Sequence, residues 1–369
     1  MKKWLIRVAA LITLTLLVLV AAAFWSDREI PVATAVTSNP SLKTIKPGWA
    51  GTPVDASGRF VNHEFPFLPK TTDLIRWKAS GNPFKAEKQA DTARLEVKDP
   101  TEFLSGDRDG ILWLGHASFF IRLNGKAILL DPVFGRPPIV TTYVDLPSPI
   151  DKIKAVDYVL LSHDHRDHMD ETTLREIAKR FPQAEFFGGL GTDDVFTAWS
   201  TPTNKVQSAG WFQQFETTGG VNIYFLPVRH WCRRGLFDTN KRLWGGYVIQ
   251  SDKATVYFGG DSGYGRHYRE TAELFPQIDY FLIGIGAYEP RWFMEPNHNN
   301  PADALKAFMD SRARALVPMH YGTFDLSDEP PSAPLRTLKA EAERAGVLER
   351  LHPLAINESI DIDGLRAMP

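Results

Sequence analysis

The stretch LLSHDHRDHMD, residues 160–170, sets His163, His165, Asp167 and His168 in H-x-H-x-D-H spacing directly after an apolar run. Tyr158–Leu161 reads as a buried strand, so the polar residues fall in the turn at its end. In a turn, positions i, i+2, i+4 and i+5 can converge, and imidazole and carboxylate are suitable ligands for zinc and similar ions. Four ligands this close cannot all reach one ion without strain, and a split into two pairs, for two neighbouring ions, is the natural solution. A solvated polar loop has reason to carry charge. It has no reason to gather three His and two Asp within six residues.

The same rule recurs downstream. His230 follows the strand ending FLPVRH, Asp261 follows VYFGGD, and His320 follows ALVPMH. In each case an apolar strand ends and one ligand-type residue comes next. Strands of one sandwich end at a common edge, so these residues can meet. The Gly259-Gly260 pair lets the backbone approach closely before Asp261.

Around these positions the chain reads as strands with helices interspersed. Ile111–Leu114, Ser118–Leu123, Ala127–Leu130, Val221–Leu226, Gly246–Ile249, Thr255–Phe258, Tyr280–Ile283 and Ala315–Val317 are short apolar strands, with Asn124-Gly125 as a hairpin signal. Thr172–Arg180 and Pro301–Asp310 have helical patterns. The class is α/β or α+β in layers. ILWLGHASFFIRLNGKAILLDPVFG resembles RLWGGYVIQSDKATVYFGGDSGYG, each with Leu-Trp, two strands, then an Asp (Asp131, Asp261). Two similar halves facing each other would bring both Asp residues to one rim; chance likeness of two hairpins is the alternative.

H-x-H-x-D-H followed by isolated His, Asp and His resembles the metallo-β-lactamase superfamily. The resemblance implies an αββα sandwich with a metal site on one edge. It implies that His163, His165 and His230 hold a first metal, and that Asp167, His168 and His320 hold a second. Asp261 then bridges both together with a hydroxide. The segments LGHASFFIRLNGKAILLDPVF, LSHDHRDHMD, GLFDTNKRLWGG, GGDSGY, IGAYEPRWFM and MHYGTF are together similar to the N-acyl-phosphatidylethanolamine-hydrolysing phospholipase D family, over about residues 105–330. That implies a bacterial member that cleaves a phospholipid diester by metal-activated water, with Zn as the expected ion and Fe or Mn as substitutes. Asp167 is expected to orient the nucleophile as well as bind metal. His298, in EPNHNNPAD, is expected to assist the leaving group, with an ordinary surface His as the alternative. His116 and Asp131 are expected to orient ligands.

The 369 residues allow one large domain or two ordinary ones, and the 43% apolar content, with 23 Phe and 10 Trp, can fill a sizeable core. Net charge is −2 without a long basic run, so nucleic acid is not an expected partner. The single cysteine, Cys232, excludes an intramolecular disulfide and a Cys-x-x-Cys metal site, and reads as a small buried residue.

Residues 28–105 show no sustained period and read as an irregular extension wrapping a hydrolase domain at 106–369. Its scattered aromatics (Phe60, Phe65, Phe67, Trp77, Phe84) are candidates for covering apolar chains. Lys2, Lys3 and Arg7 precede an uncharged run from Val8 to Ser26. Residues 1–27 therefore read as a single-pass inner-membrane anchor with a periplasmic catalytic part. A cleaved signal peptide ending near Ala21-Ala22-Ala23 is the rival. A lactonase or other carbonyl hydrolase is the alternative function. A binding protein with a decayed site is disfavoured, because the ligand set is complete.

Overall fold

A computed structural model describes residues 3–8, 10–11, 13–15, 18, 30–138, 140–146 and 148–362. Within them two seven-stranded sheets share one apolar core. The first runs Val206–Ala209, Glu185–Gly189, Tyr158–Leu160, Lys126–Leu130, Ser118–Leu123, Gly110–Gly115, Ser359–Asp361. The second runs Ala315–Met319, Tyr280–Gly284, Thr255–Phe258, Gly246–Gln250, Asn222–Leu226, Gln213–Gln214, Lys43–Thr44. Each sheet is parallel at its first-named end and antiparallel at the other.

Strand alternation decides which side chains fill which layer. Ile111, Trp113, Phe119, Ile121, Ile128 and Leu130 point into the core between the sheets. Leu112, Leu114, Phe120, Ala127 and Leu129 point into a second core on the outer face. Both faces are covered, which is why these strands read as continuous apolar runs. Helix Glu171–Arg180 covers that outer face with Leu174, Ile177 and Ala178, and starts where the Asp170 side chain accepts from Thr173 N at 2.8 Å. On the other side lie His267–Leu274, Pro301–Ser311 and Ala333–Arg344. The second of these begins with a reciprocal Asn300–Asp303 cap and Pro301. The αββα sandwich expected from the resemblance is the architecture found.

The two halves correspond. Ser118–Leu123 and Lys126–Leu130 form an antiparallel hairpin whose second strand pairs in parallel with Tyr158–Leu160. Gly246–Gln250 and Thr255–Phe258 repeat this against Tyr280–Gly284. Asp131 and Asp261 therefore leave equivalent strand ends.

Several elements depart from the sequence reading. Glu185–Gly189, Val206–Ala209 and Ser359–Asp361 are strands too short or too polar to announce themselves. In 28–105, Ala35–Thr37 pairs with Thr52–Val54, Lys43–Thr44 extends the second sheet, and three helices form: Thr71–Ser80, Lys85–Ala90 and Thr101–Ser105. These pieces are shorter than the window in which a period can be seen, and Thr71–Ser80 buries only Trp77. Among the described residues no helix is long and apolar enough to cross a membrane, so the expected single-pass anchor gains no support from them. Most of the run Val8–Ser26, on which it rested, lies outside the described residues.

Candidate metal centre

The turn after Tyr158–Leu160 doubles back until His168 N and Met169 N both reach His165 O, at 3.1 and 2.8 Å. Its base is tied to Asp131, which accepts from Ser162 N at 2.7 Å and Ser162 Oγ at 2.5 Å, and whose Oδ2 lies 2.7 Å from His168 Nδ1. Its far side is tied to the segment after His230. Arg234 donates to the carbonyls of Asp164 (3.1 Å) and Met169 (2.7 Å), and Arg242 reaches the buried Asp164 carboxylate at 3.2 Å. Gly260, at φ 55°, passes so close to Ser162 and Gly245 that a Cβ there would stand 3.1 Å from each. The Gly259-Gly260 pair thus serves the close approach its sequence suggested. His116, Asp131 and His320 all adopt positive φ (49°, 38° and 62°), a costly backbone for non-glycine residues that marks the strand ends around the site.

These constraints bring together all seven residues expected to bind metal. Nε2 of His163 and Nε2 of His230 lie 2.9 and 3.2 Å from Nδ1 of His165. Three imidazole nitrogens around a tetrahedral zinc would stand roughly 3.3 Å apart. His230 Nδ1 faces the Asn297 carbonyl at 3.2 Å, so it donates there and turns the Nε2 lone pair to the cluster.

The second group forms around Asp167. Its Oδ2 lies 3.1 Å from His116 Nε2, 3.6 Å from His168 Nε2 and 3.7 Å from His320 Nε2. Asp261 stands between the groups. Its Oδ2 is 3.1 Å from His168 Nε2 and 3.9 Å from Nε2 of both His163 and His230, and its Oδ1 is 3.2 Å from His320 Nε2. His298 joins from the side, with Nδ1 3.9 Å from Asp261 Oδ2. His116, expected only to orient, is near enough to Asp167, His168 and His320 to share a metal with them.

The donor set fits a cation. Nε2 of His168 and His320 and Oδ1 of Asp261 are buried without a hydrogen-bond partner. Leaving such groups unmet is costly, and native interiors rarely do so without a reason. Here the two imidazole nitrogens approach the Asp261 carboxylate to 3.1 and 3.2 Å without hydrogen-bond alignment. Ligands converging on a shared ion have that arrangement.

Electrostatics agree. Burial pushes His163, His165 and His230 below the usual imidazole range and holds them neutral, the form that binds metal. Burial opposes ionised Asp261 and Asp167, but the charge of His168 foremost holds both carboxyls well below the usual range. Burial also disfavours charge on His168 and His320. Asp261 outweighs it, with Asp167 adding, so His168 sits well above the imidazole range and His320 is pushed up to about 9. Burial raises Asp131, lowers His116 to about 3 and lowers His298 to about 4.

A cavity of about 320 Å³ opens on this cluster. His165, Asp167, Asp261, His298 and His320 form its polar part, Arg166 adds a cation, and Phe67, Trp231, Phe293, Met294 and Leu326 form apolar walls. The edge of Trp231 meets the His165 ring at 4.5 Å. Of the aromatics scattered over 60–84, Phe67 lines this cavity. Phe60 and Trp77 are buried in packing instead.

The residues that sequence reasoning missed are supports rather than ligands. Arg234 and Arg242 brace the metal turn. Ser262 accepts from Arg229 N at 3.0 Å and meets buried His267 at 3.1 Å, fixing the backbone after Asp261. His267 lies 3.6 Å from Glu64 of the extension. No motif marks such pairs. Cys232 is buried, and burial raises its thiol well above the usual range, as its reading as a small buried residue requires.

Comparison with known proteins bears on the same region. A family model described as a beta-lactamase superfamily domain matches residues 126–321. The chain is 29% identical over 276 residues to the N-acyl-phosphatidylethanolamine-hydrolyzing phospholipase D 1 of Caenorhabditis elegans, covering 71% of this chain and 78% of the other. It is 30% identical over 257 residues to the mitochondrial N-acyl-phosphatidylethanolamine-hydrolyzing phospholipase D of Saccharomyces cerevisiae, covering 65% of this chain and 53% of the other. It is also 30% identical to a UPF0173 metal-dependent hydrolase of Pyrobaculum aerophilum, over 60% of this chain and 88% of the other. Among solved structures, the metallo hydrolase Igni18 of Ignicoccus hospitalis is similar in fold, with TM-score 0.53, 24% identity, and 68% of this chain and 97% of the other covered.

Proposed function

We propose, from the premise that this chain belongs to the beta-lactamase superfamily, that it cleaves the diester of an N-acyl-phosphatidylethanolamine-type phospholipid on the alcohol side, giving an N-acylethanolamine and phosphatidic acid. At the coarser level the chain is a metal-dependent hydrolase of the metallo-β-lactamase fold. The observation that carries the finer reading is the composition of the cavity: metal-type ligands, one arginine, and walls of Phe67, Trp231, Phe293 and Met294. An anionic diester bearing apolar chains uses all three features, whereas a compact neutral lactone uses only the first.

Residues 106–369 form the hydrolase domain in this reading, and 28–105 an extension wrapping it and contributing Phe67 to the cavity. Two divalent ions, zinc first by donor set and iron or manganese next, would be held by His163, His165 and His230 and by Asp167, His168 and His320, with Asp261 shared, and would supply a water-derived nucleophile near neutral pH and neutralise the diester. Asp167 orients the attacking water. Asp131 keeps His168 in its tautomer, and His116 holds the Asp167 carboxylate in orientation. His298, within the cavity, hydrogen-bonds the departing oxygen. A bond forms from water oxygen to phosphorus as the bond to the ethanolamide oxygen breaks, and a proton passes to that oxygen.

The test is metal content and product analysis on the purified full chain. Two ions per chain, with phosphatidic acid and N-acylethanolamine released from phospholipid vesicles, are expected. An opened lactone or β-lactam ring without phosphatidic acid would falsify the lipid reading, and full activity with one ion would end the two-ion reading.

A further inference from the structure

Several polar groups of the segment from Trp231 to Arg242 turn inward. Its ends are clasped by Asn240 N to Cys232 O at 2.8 Å and Cys232 N to Asn240 Oδ1 at 3.1 Å. Inside it, Asp238 accepts from Arg234 N and Gly235 N at 3.2 and 2.7 Å and from Arg242 at 2.8 Å. Leu236 and Phe237 face outward, 85% and 88% exposed, the two most exposed large apolar side chains among the described residues. Single exposed hydrophobes are ordinary. An adjacent pair on a loop whose backbone is braced is different, and this loop begins at a wall of the cavity, Trp231.

A second exposed apolar pair borders another wall. Helix Thr71–Ser80 meets Arg291–Met294 through Trp77 and Phe293, whose rings are 5.1 Å apart, and leaves Ile75 57% and Trp292 44% exposed. Cations accompany both pairs. Arg76 lies over the Trp292 ring at 4.5 Å and Arg233 over the Trp231 ring at 5.5 Å. Asp194 and Asp238, the acids beside the tip, are both paired with Arg242.

We propose that this rim sits on an anionic lipid surface, with Leu236 and Phe237 inserted among acyl chains and Arg76 and Arg233 at headgroup level. The proposal rests on the phospholipid reading above. Two small apolar pairs are too little for a stable protein interface, which buries about 800 Å² per partner. Aromatic and aliphatic tips with arginines beside them suit the boundary between headgroups and chains. Insertion would set the cavity mouth against the surface from which a lipid must be drawn. The braces from Arg234 and Arg242 join the inserted tip directly to the metal turn.

The test uses Leu236→Cys in the full chain. Cys232, the sole native cysteine, is buried, so an environment-sensitive fluorophore reports from position 236 alone. With phosphatidylcholine–phosphatidylglycerol vesicles, a blue shift and quenching by brominated acyl chains are expected, both weaker on pure phosphatidylcholine. An unchanged spectrum while the protein cosediments with vesicles would overturn the proposal. So would a blue shift that appears without lipid and vanishes on dilution, which would assign the tip to a second copy of the chain. In parallel, Leu236→Asp with Phe237→Asp should lower turnover of vesicle phospholipid at least about ten-fold, while turnover of water-soluble bis(p-nitrophenyl) phosphate stays unchanged. Equal loss on both substrates, or none on either, would overturn it. The fluorescence readout stands even if no phosphatidic acid forms, so failure of the substrate reading and failure of insertion are told apart.

Discussion

Nδ1 of His168 lies 2.7 Å from the carboxylate of Asp131, with both side chains fully buried. This contact fixes which imidazole nitrogen faces the cluster: Nδ1 donates to Asp131, and Nε2 is left to Asp261 and Asp167. Asp131 also accepts from Ser162 Oγ, which lies 2.9 Å from His163 Nδ1, so its effect reaches the cluster through His168 and through the Ser162–His163 contact.

Replacing it therefore tests orientation apart from ligation. Asp131→Asn is expected to weaken metal binding about 10–100-fold, read by competition with a chromophoric chelator, with the far-UV circular dichroism spectrum retained. Wild-type affinity would show that His168 keeps its tautomer without this carboxylate.

Asp261→Asn removes the charge that lies within reach of five imidazoles. Turnover is expected to fall about 100-fold or more, with a normal thermal transition for the apoprotein. Near-wild-type turnover with the metal content unchanged is the result that would exclude Asp261 as a metal ligand.

Arg242 is the sole ion-pair partner of buried Asp164 among the described residues. Arg242→Ala leaves that carboxylate uncompensated, and a loss of about 2–4 kcal/mol is expected in urea unfolding. Adding Asp164→Asn should restore part of it; a double variant no better than the single one would mean the cost comes from Asp194 and Asp238 instead.

Lys46 of the extension pairs with Glu270 on helix His267–Leu274, and His63 Nε2 lies 3.5 Å away. Burial raises the Glu270 carboxyl, but His63 and Lys46 outweigh it and hold it at about 2. A folded-state pKa below the unfolded one means the pair stabilises above the unfolded value, about 4.3, and loses that effect as pH falls toward 2. Glu270→Gln should therefore be less stable than wild type at pH 7, by about 1–2 kcal/mol, and the gap should close between pH 4.5 and 2. A constant gap across that range would assign the loss to packing.

How much of this was legible follows from where the information sits. His163, His165, Asp167 and His168 are neighbours in the chain, so their purpose shows in their spacing. His230, Asp261 and His320 are isolated, yet each follows an apolar strand, and a shared sheet edge brings them together. The hairpins before Asp131 and Asp261 look alike because they occupy equivalent places in the two sheets. Arg242 and Asp164 carry no such mark: a buried ion pair between distant loops has neither period nor motif. Phe67 and Phe60 read alike in an irregular segment, although one lines the cavity and the other fills the core. The helix Ala333–Arg344 carries its signal in the open, an amphipathic pattern behind an N-terminal proline.

The ligand cluster draws His163, His165, Asp167 and His168 from the end of one sheet, and His230, Asp261 and His320 from the other. In folding terms this makes metal capture a late event. A nascent chain that extends only through Val206–Ala209 has six strands of the first sheet, two imidazoles of the first group and none of the residues that join the groups. Loops as long as 163 to 320 must close before the last ligand arrives, so closure is governed by the slow, non-local pairing of the second sheet. Metal uptake during refolding would then lag secondary structure and coincide with the docking of the two sheets, giving a built-in clock for the completion of the domain.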